Sequence, residues 1–122
     1  MKICVTAEGN NLDAQIDRRF GRCQYFIFVD TDTMEFEAVP NQNVTGMGGV
    51  GIQSGQLVAE KQAQVVLTGN IGPNASQTLE AAGIGVVLNL SGRVKEAVEQ
   101  YKNGQLQPVK GPNAQEKSGL RK

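Results

Sequence analysis

Residues 64–90, QVVLTGNIGPNASQTLEAAGIGVVLNL, read as strand, helix and strand. Val65, Val66 and Leu67 form a wholly apolar run. A strand with no polar alternation belongs inside a parallel sheet, covered on both faces. The break Thr68-Gly69-Asn70-Ile71-Gly72-Pro73 opens a helix that runs to about Ala82. Proline suits its first turn, where the missing N–H costs nothing. Gly83 ends the helix, and Gly85-Val86-Val87-Leu88 is a second buried strand. Two such strands joined by a helix make a right-handed βαβ unit, with the helix on one face of the sheet.

The flanks extend this unit. Upstream, a glycine-rich run (TGMGGVG, residues 45–51) leads into a helix of roughly residues 50–62. Downstream, Ser91 is a plausible cap for a last helix, whose Val94, Ala97, Val98 and Tyr101 fall on one apolar face. Asn103-Gly104 stops it. At the start of the chain, residues 1–7 form a short apolar strand and residues 8–22 a polar stretch. QYFIFVD (residues 24–30) is aromatic and β-branched, hence strand-like. After a turn at residues 30–33, Met34, Phe36 and Ala38 alternate with Glu35 and Glu37. That pattern describes an edge strand with one wet face, paired as a hairpin with the strand before it. The order β-β-β-α-β-α-β-α predicts an α/β fold with a mixed five-stranded sheet covered by helices. Residues 1–106 make one domain. Residues 107–122 are polar and aperiodic, and are expected to be a disordered tail.

Composition narrows the chemistry. The chain has 122 residues, 39% hydrophobic and 20% charged, enough for one core. Twelve basic side chains balance twelve acidic ones, so a nucleic-acid partner reading charge alone is not expected. Histidine is absent, which excludes Ser-His-Asp and Cys-His catalysis and histidine zinc sites. Two cysteines, Cys4 and Cys23, cannot build a disulfide scaffold or a fully protein-ligated iron–sulfur cluster. The N-terminus turns polar by position 6, so no signal peptide or membrane span is read, and a cytoplasmic location is expected.

If the first strand is central, the loops after strands one, three, four and five emerge on one edge, at the strands' carboxyl ends, where open α/β sheets bind ligands. Three segments converge there. Asp17-Arg18-Arg19-Phe20-Gly21-Arg22-Cys23 places three guanidiniums within five positions, a clamp for multivalent anions unless solvent or Asp17 takes up their charge. Gly46-Met47-Gly48-Gly49-Val50-Gly51 matches GxGxxG and opens a helix, yet Thr68-Gly69-Asn70 stands where a dinucleotide site needs an acid. The broader expectation is that amides at this helix start hold an anion. Residues 68–74 supply a second helix start beside the first. Cys23, next to Arg22, is expected to have a lowered pKa and to ligate metal as thiolate, whereas Cys4 reads as a small buried hydrophobe. No acid lies inside the first strand, which disfavours a two-metal nuclease.

MKICVTAEG, RRFGRCQYFIFVD, GMGGVGIQSGQLVAE, LTGNIGPNA and VKEAVEQYKNG, in this order, resemble the dinitrogenase iron–molybdenum cofactor biosynthesis family, which includes NifX-like and NifB C-terminal-domain-like proteins. The resemblance implies a three-layer α/β/α, ribonuclease H-like fold. It also implies non-enzymatic binding or carrying of an iron–sulfur or molybdenum–iron–sulfur cofactor precursor, with cofactor-assembly proteins as possible partners. The family's pattern positions here are Phe20, Gly21, Arg22 and Cys23; Gly48, Gly49 and Gly51; and Gly69, Asn70, Gly72 and Pro73. Arg19 joins them from the arginine cluster. Lacking histidine, the chain departs from carriers dedicated to nitrogenase, which points to a different thiometallate, such as a molybdenum–copper sulfide, or to retention without covalent ligation. The alternatives are a module binding a phosphorylated metabolite or nucleotide at the same helix starts, and an adaptor docking through its tail.

Overall fold

The computed structural model describes residues 1–42 and 50–108. Its elements are β1 (Lys2–Ala7), β2 (Tyr25–Asp30), β3 (Phe36–Pro40), α1 (Val50–Glu60), β4 (Val65–Leu67), α2 (Pro73–Ala81), β5 (Gly85–Val87) and α3 (Val94–Lys102). The sheet order is β3-β2-β1-β4-β5. β1 pairs parallel with β4, and β4 with β5, whereas β2 runs antiparallel to both β1 and β3. β1 is therefore central, and the βαβ unit and the hairpin are both as expected. Of the tail expected over residues 107–122, all but the first two residues lie outside the described residues.

Period-two alternation splits the strands between two cores. Ile3, Val5 and Ala7 of β1 join Ile27, Val29, Leu67 and Val87 under α3, which contributes Val94, Ala97 and Val98. Cys4, Phe26, Phe28, Val66 and Val86 face the other way, against Val58 of α1 and Ala75 and Leu79 of α2. Helices on both faces of a mixed sheet in this order make the three-layer, ribonuclease H-like arrangement. α1 and α2 lie close together because α1 turns glycines toward its neighbour. A Cβ on Gly51 would sit 3.1 Å from the Ala75 Cβ, and one on Gly55 would sit 2.7 Å from Thr78 Cγ2.

Two local readings need adjusting. Ser91 does not cap α3. Gly92 has φ +94°, the chain is extended at Arg93, and the Glu96 carboxylate accepts a hydrogen bond from the Arg93 amide at 3.2 Å. The first-turn amides of Val94 and Lys95 go to the Ala14 and Leu12 carbonyls, each at 2.9 Å, which do the work assigned to a preceding serine. β3 is the edge strand expected, but Phe36 on it is 43% exposed, and Lys61 bonds Glu37 at 3.0 Å, so polar and apolar faces are less cleanly divided.

Register sets the position of the site. Ala7 at the end of β1 and Pro40 at the end of β3 both lie opposite Tyr25, the first residue of β2. The carboxyl ends of β1, β3, β4 and β5 therefore share one edge of the sheet, and the segments after them start from it.

Candidate anion-binding cleft

Residues 8–24, a long polar connection, are fastened to that edge at three places. Near Thr6, the Asp17 amide donates to the Thr6 carbonyl at 3.0 Å, and Thr6 Oγ1 donates back to the Asp17 carbonyl at 2.6 Å. Thr6 Oγ1 also lies 2.7 Å from Thr68 Oγ1, so β1, β4 and the connection share one buried polar knot. Near α3, Ile16 donates to the Gly92 carbonyl at 2.8 Å and Val94 to the Ala14 carbonyl at 2.9 Å. Beside α2, Phe20 donates to the Asn70 carbonyl at 3.0 Å and Asn70 to the Arg18 carbonyl at 2.7 Å, a parallel bridge between the first and third predicted segments. Gly69 permits this approach, since a Cβ there would stand 2.5 Å from the Arg18 Cβ and 2.8 Å from its Cα.

The arginine turn is shaped from behind. The Asp17 side chain is only 4% exposed, and its carboxylate accepts from the Arg19 amide and Nε at 3.2 Å, from Arg19 Nη2 at 3.3 Å and from the Gln24 amide at 3.2 Å. That hydrogen bond, with the charge of the same carboxylate, raises the Arg19 pKa. Gly21 turns the chain at φ +92°, a conformation glycine adopts without strain. Phe20 is buried with its ring edge-on to Phe26, centroids 5.8 Å apart. The Asn41 side-chain amide donates to the Gly21 and Cys23 carbonyls at 2.9 and 2.8 Å, tying the turn to the end of β3.

Facing this turn is the start of α2. Gly72 is its extended N-cap, Pro73 occupies the first turn, and among the described residues no side chain caps the helix. First-turn amides have no partner within their own helix and, with the helix dipole, favour negative charge in front of them. Between turn and helix lies a cleft of ≈ 510 Å³. Arg19 and Arg22 supply its cationic side; Phe20, Ile71, Pro73 and Ala75 supply apolar wall; Asn70, Gly72 and Asn74 bring polar and backbone groups, and Gly51 of α1 reaches it from below.

The structure therefore gathers Arg19, Phe20, Arg22, Asn70 and Gly72 into one cleft, as the sequence predicts, together with Gly51 and Pro73 from the family pattern. Gly21, Cys23 and Gly69 do not line it. Gly21 and Gly69 shape the walls, and Cys23 is fully buried behind them. Gly48 and Gly49 lie outside the described residues. The expected Cys23 thiolate is corrected: burial, reinforced by the Asp17 charge, pushes its pKa up to about 12, against lesser help to the thiolate from backbone amides and Arg19. Cys4 is likewise buried, and its thiol is held protonated by desolvation first and by Cys23 second. Sequence reasoning missed the apolar wall at Ile71 and Ala75, although Ile71 is the one large apolar residue in the 68–73 break. It also missed the Thr6–Thr68 contact, for which no local signal exists.

A mixed sheet whose strand-end loops bring arginines and a helix start to one cleft is built like the open α/β proteins that take ligands at the carboxyl edge. The chain belongs to the dinitrogenase iron-molybdenum cofactor family, whose model it matches over residues 1–104. It is similar to the orange protein from Desulfovibrio gigas, known in its apo form, at 45% identity and TM-score 0.86, covering 92% of this chain and 95% of that one. TM1290 from Thermotoga, of the DUF35 family, is 31% identical with TM-score 0.77, over 88% and 91% of the two chains. MJ0580, an uncharacterized protein of Methanocaldococcus jannaschii, is 30% identical over 110 residues, 88% of this chain and 90% of its own. Among the described residues no helix is long and apolar enough to cross a membrane.

Proposed function

We propose that the protein binds and carries an anionic metal–sulfur cofactor or its precursor, without transforming it, and passes it to a cofactor-assembly protein. The observation that carries this reading is the cleft in which Arg19 and Arg22 face the uncapped start of α2 across an apolar floor. Metal sulfides are compact anions whose sulfur atoms accept hydrogen bonds from N–H groups. Guanidiniums and helix-start amides supply the donors and positive field, and Phe20, Ile71 and Pro73 supply surface that soft sulfur can touch. Family membership, and the likeness to the orange protein, favour metal–sulfur cargo over other anions. Iron–sulfur, molybdenum–iron–sulfur and molybdenum–copper sulfide clusters all have this character.

Among the described residues no three His, Cys, Asp or Glu side chains stand together as a metal site. Retention through hydrogen bonds and charge therefore fits better than a set of protein ligands. Cys23 is the candidate direct ligand, and to serve it would have to lose a proton that burial holds tightly.

Tetrathiomolybdate with copper, and separately an iron–sulfur precursor, added anaerobically to the purified chain provide the test. The expected result is a visible chromophore that stays with the protein at stoichiometric metal, weakened by Arg19→Gln or Arg22→Gln and retained by Cys23→Ser. No bound chromophore with any of these ligands would overturn the reading. Heat stabilisation by nucleotides or sugar phosphates, and not by thiometallates, would favour the phosphate module instead.

A further inference from the structure

We propose that Asp17 is a positioning residue that decides which anions the cleft accepts: it holds the Arg19 guanidinium in one orientation and offsets its charge, so that soft, weakly hydrated anions are favoured over oxyanions. The proposal deepens the reading of the cleft as an anion site and rests on it.

The pair is asymmetric. Asp17 is sealed behind the turn with its side chain 4% exposed, whereas the Arg19 side chain is 60% exposed at the cleft. The carboxylate is immobilised from every side. Its backbone is bonded in both directions to Thr6, and its oxygens take the Gln24 amide, the Arg19 amide and the Arg19 fork through Nε and Nη2. A guanidinium carries five N–H donors in one plane. Two nitrogens committed to Asp17 fix that plane, and the remaining donors keep a set direction.

The electrostatic consequence differs between ligands. A fixed carboxylate behind an anion site lowers affinity for every anion, and most for those that depend on strong local field. An oxyanion gives up a large hydration energy on entering an apolar-walled cleft and needs unshared positive charge in return. A thiometallate spreads the same charge over large sulfur atoms, loses less hydration, and gains contact with Phe20, Ile71 and Pro73. Offsetting Arg19 thus penalises the oxyanion more, while the oriented N–H groups still serve the sulfide.

Tetrathiomolybdate and molybdate, tetrahedral dianions of one metal differing in sulfur against oxygen, make the comparison direct. Each is titrated anaerobically into the full chain at two ionic strengths, for the wild type, Asp17→Asn and Arg19→Lys. The wild type is expected to prefer tetrathiomolybdate. Asp17→Asn removes the offset and should cut that preference by about five- to tenfold, with a steeper salt dependence for molybdate. Arg19→Lys keeps the charge but loses the two-point fork, and should shift the preference in the same direction. Because it changes an exposed side chain, it decides the matter if Asp17→Asn fails to fold. A wild-type preference left unchanged in the folded variants, including equal weakening of both anions, overturns the proposal and leaves the cleft reading intact. A wild type that binds neither anion overturns this proposal, and the cleft reading falls with it only if tetrathiomolybdate with copper and the iron–sulfur precursor also fail to bind.

Discussion

Cys23 is held between a glycine turn and the second core, with no exposed surface. Its thiol ordinarily titrates near 9.0, and burial moves it to about 12. The folded state therefore binds this proton more tightly than the unfolded chain does. Such a group contributes its full stability below pH 9 and loses it as pH rises from about 9 toward 12, a contribution on the order of 4 kcal/mol. Urea unfolding at pH 8 and pH 10.5 should show the higher-pH midpoint falling, and Cys23→Ala should lessen that decline, the buried Cys4 thiol supplying part of what is left. Iodoacetamide should label neither cysteine at pH 8 until the protein is unfolded. At this scale the sequence misled in an instructive way. Arg22 beside Cys23 suggested an activated thiolate, yet burial outweighs the help that backbone amides and nearby positive charge give the thiolate. The Asp17–Arg19 pairing, by contrast, was open to reading because two residues' separation in a tight turn keeps such groups within reach.

The cleft exists because two connections are bonded to each other as well as to the sheet. Asn70 accepts from the Phe20 amide and donates to the Arg18 carbonyl across a gap only a glycine at position 69 allows. In Gly69→Ala the new methyl would meet Arg18 backbone atoms, its Cα at 2.8 Å and its carbonyl oxygen at 2.9 Å, which cannot rotate away as a side-chain tip would. The expected cost is about 1–3 kcal/mol in denaturant unfolding. Thiometallate affinity should fall too, because the arginine turn is pushed off α2. The elements themselves were legible: the Pro73 start, the Gly83 stop at φ +75° and the apolar stripe of α3 all follow local rules. Ser91 was not, because the first-turn amides are taken by the Leu12 and Ala14 carbonyls, and nothing in the residues beside the helix says that so distant a segment will reach it.

Over the whole molecule, residues 8–24 act as a strap across the carboxyl edge, bonded to the end of β1, to the segment before α2 and to the start of α3. A segment tied to three core elements should not open by itself. Amide exchange should therefore find Ile16, Asp17, Phe20 and Asn70 protected close to the level of Val5 and Val66 in the central strands. Fast exchange at all four would mean the cleft wall opens independently of the sheet.

While the central place of the first strand was settled by the sheet order, amino-acid pattern alone determined the element order, the parallel βαβ half and the edge hairpin. These follow from periodicity, β-branching and glycine or proline punctuation, all of which act over a few neighbouring residues. It also singled out the arginine turn and the 68–74 break as parts of one site. Tertiary structure decided what local pattern does not encode: that Arg19 and Asn70 pair, that Ile71 and Ala75 make an apolar wall, and that Cys23 is sealed away from it. Those outcomes depend on contacts between residues some fifty positions apart, and such contacts are set by how the two cores pack against the sheet.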